Sequence, residues 1–115
     1  MTRLTRPISW IKTARKDFEK FPSDAQAVCL AALTMAAEGG MADIVKPFKG
    51  LGSGIFEIAL PYRGDAFRVV YAVQIAGELW VLHAFQKKSK QGTKTPQREV
   101  ELIENRLKRL KELLG

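Results

Sequence analysis

Three basic side chains and the only histidine of the sequence lie in or just after two apolar segments, and together they suit chemistry on a phosphodiester. Arg68 lies in the middle of one apolar segment, His83 lies near the end of the next, and Lys87 and Lys88 follow. Guanidinium and ammonium groups stabilise the charge that develops on phosphorus, and an imidazole can move a proton near neutral pH. RNA supplies its own nucleophile, the 2′-hydroxyl, so such a site would need no metal.

Each of these candidates also has a structural interpretation. Arg68 would be costly to bury without a partner, and Glu57 on the preceding apolar segment could form an ion pair with it. His83 has apolar neighbours on both sides and could be a packed or hydrogen-bonded strand residue. For Arg68 and His83 both interpretations stay open. Tyr71 alternates with valines on one apolar face, which favours a place in the core rather than a catalytic role.

The segment 86–98, QKKSKQGTKTPQR, concentrates positive charge. It holds five bases and no acid, in a chain whose formal net charge is +7 and whose pI is about 9.8. Charge concentrated in this way attracts polyanions. Nucleic acid is the partner that this pattern favours, an acidic protein segment is the next, and a solvated loop is the structural alternative. The candidate RNA-binding residues in this segment are Lys90, Lys94 and Arg98.

The sequence lacks the residues that other kinds of catalytic site require. The sequence has no His/Cys cluster at metal-ligand spacing and no nucleophile elbow, and KGLGSG (49–54) lacks the ending of a phosphate-binding P-loop. We therefore expect no metal and no cofactor. The single cysteine, Cys29, suits a reducing compartment. The apolar run 27–37 is shorter than the roughly 20 residues that a bilayer requires, so we expect a cytoplasmic protein without a membrane partner.

The length of 115 residues predicts one domain over 1–115. A short strand is predicted at 8–11 and an amphipathic helix at 12–21. Ser23 and Gln26 have the spacing of a capping box that begins a second helix, which Gly39 and Gly40 end. The last helix is predicted to begin at Thr95 and Pro96, with Thr95 as its N-cap, and it carries one apolar stripe.

Between the helices the spacing of the apolar residues changes from a helical repeat to the alternation of a strand. Strands are predicted at 54–60, 66–75 and 78–85, after a linker at 41–54. The turns at 61–65 and 76–77 are short enough to predict an antiparallel meander. The predicted fold class is α+β in the order α-α-β-β-β-α, with three to four strands covered on one face.

The residues at this point resemble a known group. The segments FEIALPYRGDAFRVVYAV and WVLHAFQKKSKQGTKTP, followed by an amphipathic helix, are similar to the phage-derived, HigB-type toxins of the RelE/ParE superfamily. The N-terminal DFEKFPSDAQ before an alanine-rich helix is similar too, so the resemblance covers about residues 8–112. It implies a small RelE-like fold with two N-terminal helices, an antiparallel sheet and a C-terminal helix.

The resemblance also implies a function. Such a chain would be the toxin of a type II toxin–antitoxin pair, neutralised by a cognate antitoxin that often carries a helix-turn-helix domain. Its activity would be metal-independent cleavage of mRNA on the translating ribosome, which makes it an endoribonuclease. By resemblance Arg68 would contact the scissile phosphate, Lys87 and Lys88 would form the basic pair after the last strand, and Lys49 would be a further basic contact to RNA.

The sequence departs from the RelE pattern in two places. The basic pair of the first long strand falls at Glu57 and Ala59, and no tyrosine follows the basic loop. His83 is the possible substitute in proton transfer. Fold alone does not fix activity, so two other functions stay open. One is a ParE-like, non-enzymatic inhibitor of DNA gyrase, and the other is a basic binding module without catalysis.

Overall fold

The computed structural model describes residues 5–88 and 95–114, which form five strands and three helices. The strands are β1 (Ile8–Trp10), β2 (Val45–Pro47), β3 (Ile55–Tyr62), β4 (Asp65–Ile75) and β5 (Glu78–Lys87). The helices are α1 (Lys12–Phe18), α2 (Ser23–Ala37) and α3 (Gln97–Leu114).

All five strands belong to one sheet, in the order β1-β5-β4-β3-β2. Strands β3, β4 and β5 form the expected antiparallel meander. The two-residue turns at Arg63-Gly64 and Ala76-Gly77 have positive φ at both positions, which is the backbone of a type I′ hairpin turn. The α+β fold class, with two N-terminal helices and a C-terminal helix, is therefore confirmed.

The sheet has more strands than the sequence predicted. Strand β2 lies within the predicted linker and pairs antiparallel with β3, and the short β1 pairs parallel with β5. Each of these two edge strands has only three residues. Three residues are too few to show an alternating pattern, which is why β2 was missed.

Helices cover both faces of the sheet, so the prediction of one covered face was wrong. Phe67, Val69 and Tyr71 of β4 pack with α1 and α2 in one core cluster. Val70 and Ala72 point the other way and pack with α3 in a second cluster. A strand that is apolar on both faces has to be buried on both, and β4 is such a strand.

The start of α2 was also mispredicted in detail. The helix begins at Ser23, but Pro22 occupies the N-cap position and no side chain caps it. The side-chain amide of Gln26 donates instead to the carbonyls of Glu19 and Phe21. These bonds fasten α2 to the end of α1, which ends at Phe18 and not at residue 21.

The start of α3 differs in a way that matters for the site. The carbonyl of Pro96 accepts hydrogen bonds from the N–H groups of Glu99 and Val100, and the helix begins at Gln97. Thr95 was predicted to cap it. Its hydroxyl faces the sheet instead and lies 3.3 Å from a carboxylate oxygen of Glu57.

Candidate phosphate-binding site

Arg68 and Glu57 form a buried ion pair on the sheet face that α3 covers. Nη1 of Arg68 donates to Oε1 of Glu57 at 2.8 Å, and the two side chains are 8% and 3% exposed. Arg68 lies opposite Ala59, two positions along β3 from Glu57, so the two side chains meet diagonally across neighbouring strands. The ion-pair interpretation of Arg68 is confirmed.

The Glu57 carboxylate has two further contacts. Nζ of Lys46, directly opposite on β2, lies 3.7 Å from Oε1. The hydroxyl of Thr95 donates to Oε2 at 3.3 Å and lies 3.5 Å from Nη1 of Arg68. Glu57 therefore connects three strands to Thr95, two residues before α3. A phosphate that binds Arg68 would share the guanidinium with this carboxylate or replace it.

Lys87 shares this face of the sheet. It lies opposite Ala66, while Arg68 lies opposite Phe85, so Lys87 and Arg68 are diagonal neighbours on β5 and β4. Lys87 is 3% exposed. Within residues 5–88 and 95–114 its ammonium makes no hydrogen bond or ion pair. A lysine that is largely inside the protein and has no counter-ion among the described residues is a candidate to bind an anion.

Lys88 is not brought together with Lys87. Its ammonium lies 3.7 Å from Asp65, which also accepts a hydrogen bond from Gln86. Gln86 lies opposite Phe67, a core residue of the α1–α2 face. Successive strand residues point to opposite faces, so the two adjacent lysines diverge. The expectation that both lysines converge with Arg68 is wrong for Lys88, and its catalytic role stays a prediction.

His83 is buried, at 5% exposure, between two side chains of α3. Its Nε2 lies 2.7 Å from Oε2 of Glu99, and its Nδ1 lies 3.1 Å from Nη1 of Arg106. Arg106 also donates to the Leu82 carbonyl at 2.9 Å. An arginine can only donate, so Nδ1 accepts and Nε2 carries the proton that is donated to Glu99. The imidazole is thereby held as one neutral tautomer.

Burial lowers the pKa of His83 below its ordinary value. The hydrogen bond and the charge of Glu99 oppose this shift, and the positive charge of Arg106 adds to it. A ring whose two nitrogens are both occupied can transfer a proton only if Glu99 or Arg106 releases one of them. The acid–base role of His83 stays a prediction.

A cleft of about 330 Å³ beside β5 leads to this histidine. Its walls include the aromatic rings of Phe21 and Phe85 and the carboxylates of Asp17 and Glu99. The Phe85 ring is stacked on His83, with centroids 4.9 Å apart. A molecule bound in the cleft would therefore meet Glu99 and His83.

The remaining RNA-binding candidates are scattered. Lys49 is exposed in the turn after β2, and Lys46 rather than Lys49 contacts Glu57. Arg98 is exposed on α3 and lines a cleft of about 370 Å³ with Arg106 and Arg109. Lys90 and Lys94 lie outside the described residues. Tyr71 is 1% exposed, and burial raises its pKa to about 12, as expected of a core residue.

Four residues of the site were not predicted: Lys46, Thr95, Glu99 and Arg106. Glu99 and Arg106 stand seven apart on α3, on the same side as the buried Ile103. That helical spacing was visible in the sequence. Lys46 could be placed beside Glu57 only if β2 had been recognised as a strand. Thr95 had been predicted as the N-cap of the last helix.

The described residues contain neither a cluster of metal ligands nor a helix that could span a membrane. Within 5–88 and 95–114 no three His, Cys, Asp or Glu side chains are grouped closely enough to hold a metal ion. In the same residues no helix has the length and apolar content to cross a bilayer.

Comparison with known proteins places the fold and the family. A mutant of the Escherichia coli toxin RelE in the free state, with two arginines replaced by alanine, matches with a TM-score of 0.62 and 17% identity, over 91% of this chain and 97% of that one. The toxin–antitoxin complex RelBE2 from Mycobacterium tuberculosis matches with a TM-score of 0.51 and 18% identity, over 76% and 97%. No curated protein sequence matches the chain significantly. The model of the family described as phage-derived protein Gp49-like (DUF891) matches residues 16–108, and the chain belongs to that family.

Proposed function

We propose that this chain is a HigB-type toxin of a type II toxin–antitoxin pair and that it cleaves mRNA on the ribosome without a metal. The observation that carries the proposal is that Arg68 and Lys87 are diagonal neighbours on one face of β4 and β5. Lys46 and Arg68 contact the carboxylate of Glu57, and Lys87 adds a third cation beside Arg68. That excess of positive charge suits a phosphate in a site largely removed from water.

The chemistry would use RNA's own nucleophile. The 2′-hydroxyl attacks phosphorus, the bond from phosphorus to the 5′-oxygen breaks, and a 2′,3′-cyclic phosphate and a 5′-hydroxyl result. Arg68 and Lys87 would stabilise the added charge on the phosphoryl oxygens. The 2′-hydroxyl has to lose a proton and the 5′-oxygen has to gain one. Glu57 is the carboxylate nearest to Arg68 and is a candidate acceptor, and His83 is the candidate for the other transfer.

The proposed partners are a cognate antitoxin, of the helix-turn-helix type, together with mRNA and the ribosome. The antitoxin is supported by the likeness to RelBE2, which was crystallised as a toxin–antitoxin complex. The nucleic-acid partner is supported by the charge of the chain, with 19 basic against 12 acidic residues. An open reading frame for a helix-turn-helix protein beside this one would add support.

One observation favours a second candidate, a ParE-like gyrase inhibitor without catalysis. Arg68 is ion-paired with Glu57, and both ring nitrogens of His83 are hydrogen-bonded inside the protein, as expected of a purely structural arginine and histidine. Such a toxin would act through binding another protein, and its target would be DNA topology rather than RNA.

Expression of the chain alone, without an antitoxin, separates the two functions. The nuclease proposal predicts growth arrest with new 5′ ends inside coding sequences, detected by primer extension, while plasmid supercoiling stays normal. If transcripts stay intact while supercoiling is lost, the gyrase alternative holds and the nuclease proposal is wrong. Intact transcripts with normal supercoiling and normal growth would contradict both.

A further inference from the structure

Helix α2 exposes apolar side chains on the side that faces away from the sheet. Val28, Leu30 and Met35 are 44%, 43% and 45% exposed, and Met41, just beyond the helix, is 51% exposed. A helix that packs one face on a sheet normally carries charged or polar residues on the other. Here the outer face has the composition of a buried surface, which is typical of a surface that another molecule covers.

The centre of this surface carries small side chains. Ala27, Ala31 and Thr34 lie between Leu30 on one side and Val28 on the other, as helical spacing requires. The Thr34 hydroxyl donates to the Leu30 carbonyl at 2.9 Å, so its polar group is already satisfied. Small residues along the middle let a second helix approach closely. We name this surface the α2 stripe; its residues are Ala27, Val28, Leu30, Ala31, Thr34 and Met35.

A cleft of about 330 Å³ lies at the end of the α2 stripe. Met41, Phe56 and Val73 form its apolar wall, and Arg6 also lines it. It is large enough for one apolar side chain. A helix lying along the stripe could therefore anchor a large apolar residue beside Met41.

The sequence of α2 and its flanking residues differs in charge from the rest of the protein, although Arg6 lies at the C-terminal end of the helix, where its N–H donates to the Ala37 carbonyl. Residues 21–45 contain no Lys, Arg or His, and they contain three acids: Asp24, Glu38 and Asp43. The chain as a whole carries +7. An apolar stripe bordered by acids complements a partner helix whose apolar residues are bordered by Lys or Arg.

A second copy of the chain suits this surface poorly. If two α2 helices packed antiparallel about a two-fold axis, Asp24 of one copy would approach Glu38 of the other, and residues 21–45 supply no cation to compensate. Two molecules of +7 would also repel one another over a longer range. A membrane surface is disfavoured too, because helices that lie on membranes carry Lys and Arg beside their apolar face.

We propose that the α2 stripe binds an amphipathic helix of a separate protein, with an apolar face bordered by basic residues. α2 packs on the sheet face opposite to the one that carries Arg68 and Lys87. The docked helix and a phosphate at Arg68 would therefore not compete. The proposal concerns a protein surface and does not depend on nuclease activity.

The test uses the purified full chain and a fluorescent synthetic helix of leucine and lysine, about 18 residues long or five turns. The peptide has one leucine stripe bordered by lysines, and its binding is followed by fluorescence anisotropy. We expect Met35→Lys to weaken binding about tenfold or more, because it places a positive charge in the apolar stripe, opposite a lysine-bordered peptide. A tenfold change corresponds to about 1.4 kcal/mol. Leu113→Lys makes a similar change at a 76% exposed apolar residue of α3 and should leave binding unchanged. Circular dichroism verifies that both variants are folded.

Several results would overturn the proposal. One is absence of peptide binding, and another is equal binding to the Met35→Lys and Leu113→Lys variants. A glutamate-bordered peptide that binds the stripe as tightly as the lysine-bordered one would contradict the charge argument. A parent dimer in analytical ultracentrifugation that Met35→Lys dissociates would identify a second copy as the occupant. Binding of the parent to anionic or zwitterionic vesicles, lost in Met35→Lys, would identify a membrane instead.

Discussion

The guanidinium of Arg68 and the carboxylate of Glu57 lie 2.8 Å apart, and both side chains are more than nine-tenths buried. The pair holds β3 to β4 at the same place where the proposed phosphate would bind. Arg68 therefore has a structural task and a proposed functional one. Substitutions that separate folding from activity are needed to distinguish them.

The Arg68–Glu57 pair gives the first prediction, which concerns stability. Glu57→Leu should lower the free energy of unfolding by about 3–5 kcal/mol, because Arg68 stays buried after its counter-ion is removed. The double variant Glu57→Leu/Arg68→Met should recover most of that loss, since it buries no charge at either position. Urea denaturation measures four proteins: the parent, the two single variants Glu57→Leu and Arg68→Met, and the double variant.

An exposed ion pair provides the matched control. Arg15 and Glu19 lie 3.6 Å apart with side chains 64% and 59% exposed, and Glu19→Ala should cost less than about 1 kcal/mol. If the effects of Glu57→Leu and Arg68→Met simply add in the double variant, the two residues are not coupled and the buried pair is not what stabilises this region.

Lys87 should show opposite effects on folding and on function. Lys87→Met removes the positive charge of a residue that is 3% exposed and nearly keeps the length of the side chain. We expect the free energy of unfolding to rise by about 0.5–2 kcal/mol, as is usual when an unfavourable group kept for function is replaced. Lys16→Met on the exposed side of α1 should stay within about 0.5 kcal/mol of the parent. A loss of stability in Lys87→Met would mean that the ammonium has a stabilising partner.

His83 should make stability depend on pH. Its pKa is lowered in the folded protein, chiefly by burial, so the unfolded chain takes up the proton first, near pH 6.5. The stabilisation is complete above about pH 6.5 and is lost as pH falls from there through the lowered pKa. Within that window the free energy of unfolding should fall by up to about 1.4 kcal/mol per pH unit. His83→Gln should remove this dependence, measured by urea denaturation across the pH range.

Arg106→Met serves as the contrast variant for His83. The charge of Arg106 lowers the pKa of His83, so Arg106→Met should raise that pKa. The pH range over which the free energy of unfolding depends on pH should then become narrower. NMR titration of the imidazole would detect the shift. Parallel pH profiles for the parent and His83→Gln would contradict the account of a neutral, buried histidine.

The turn between β4 and β5 gives a prediction about the fold. Ala76 has a φ of 53°, a region that costs a residue with a Cβ atom about 1 kcal/mol. Ala76→Gly should therefore stabilise the protein by about 0.5–1 kcal/mol in thermal or urea unfolding. The same substitution at the exposed helical position Ala31 should destabilise it by about 1 kcal/mol. Destabilisation at both positions would show that the hairpin does not have this turn.

The sequence predicted the strands and helices that are long enough for a repeat of apolar residues to be visible. The three central strands followed from alternation, the turn at Ala76-Gly77 was predicted with its two residues, and α3 followed from its apolar stripe. The first turn was predicted at 61–65 and is shorter, because β3 continues to Tyr62 and β4 begins at Asp65. It also indicated that Arg68 needs a partner, with Glu57 as the candidate. Periodicity did not reveal β2, which has three residues, and so Lys46 was overlooked.

Other parts of the site depended on geometry that a local pattern does not contain. Lys87 and Lys88 are adjacent in sequence, but strand alternation sends them to opposite faces. Thr95 precedes a proline at the start of a helix and has the local signature of an N-cap. Its hydroxyl bonds to Glu57 because the sheet lies beside it. His83 contacts Glu99 and Arg106 only once α3 has packed on the sheet.

The most direct test of the proposed phosphate site compares transcript 5′ ends in cells that express the parent, Lys87→Met or Lys16→Met. We predict that the parent and Lys16→Met produce the same new ends. Lys87→Met should be folded and about 10²–10³ less active, as when one stabilising donor is removed from a reacting site. A folded Lys87→Met protein that produces those ends as abundantly as the parent would show that Lys87 does not bind the scissile phosphate.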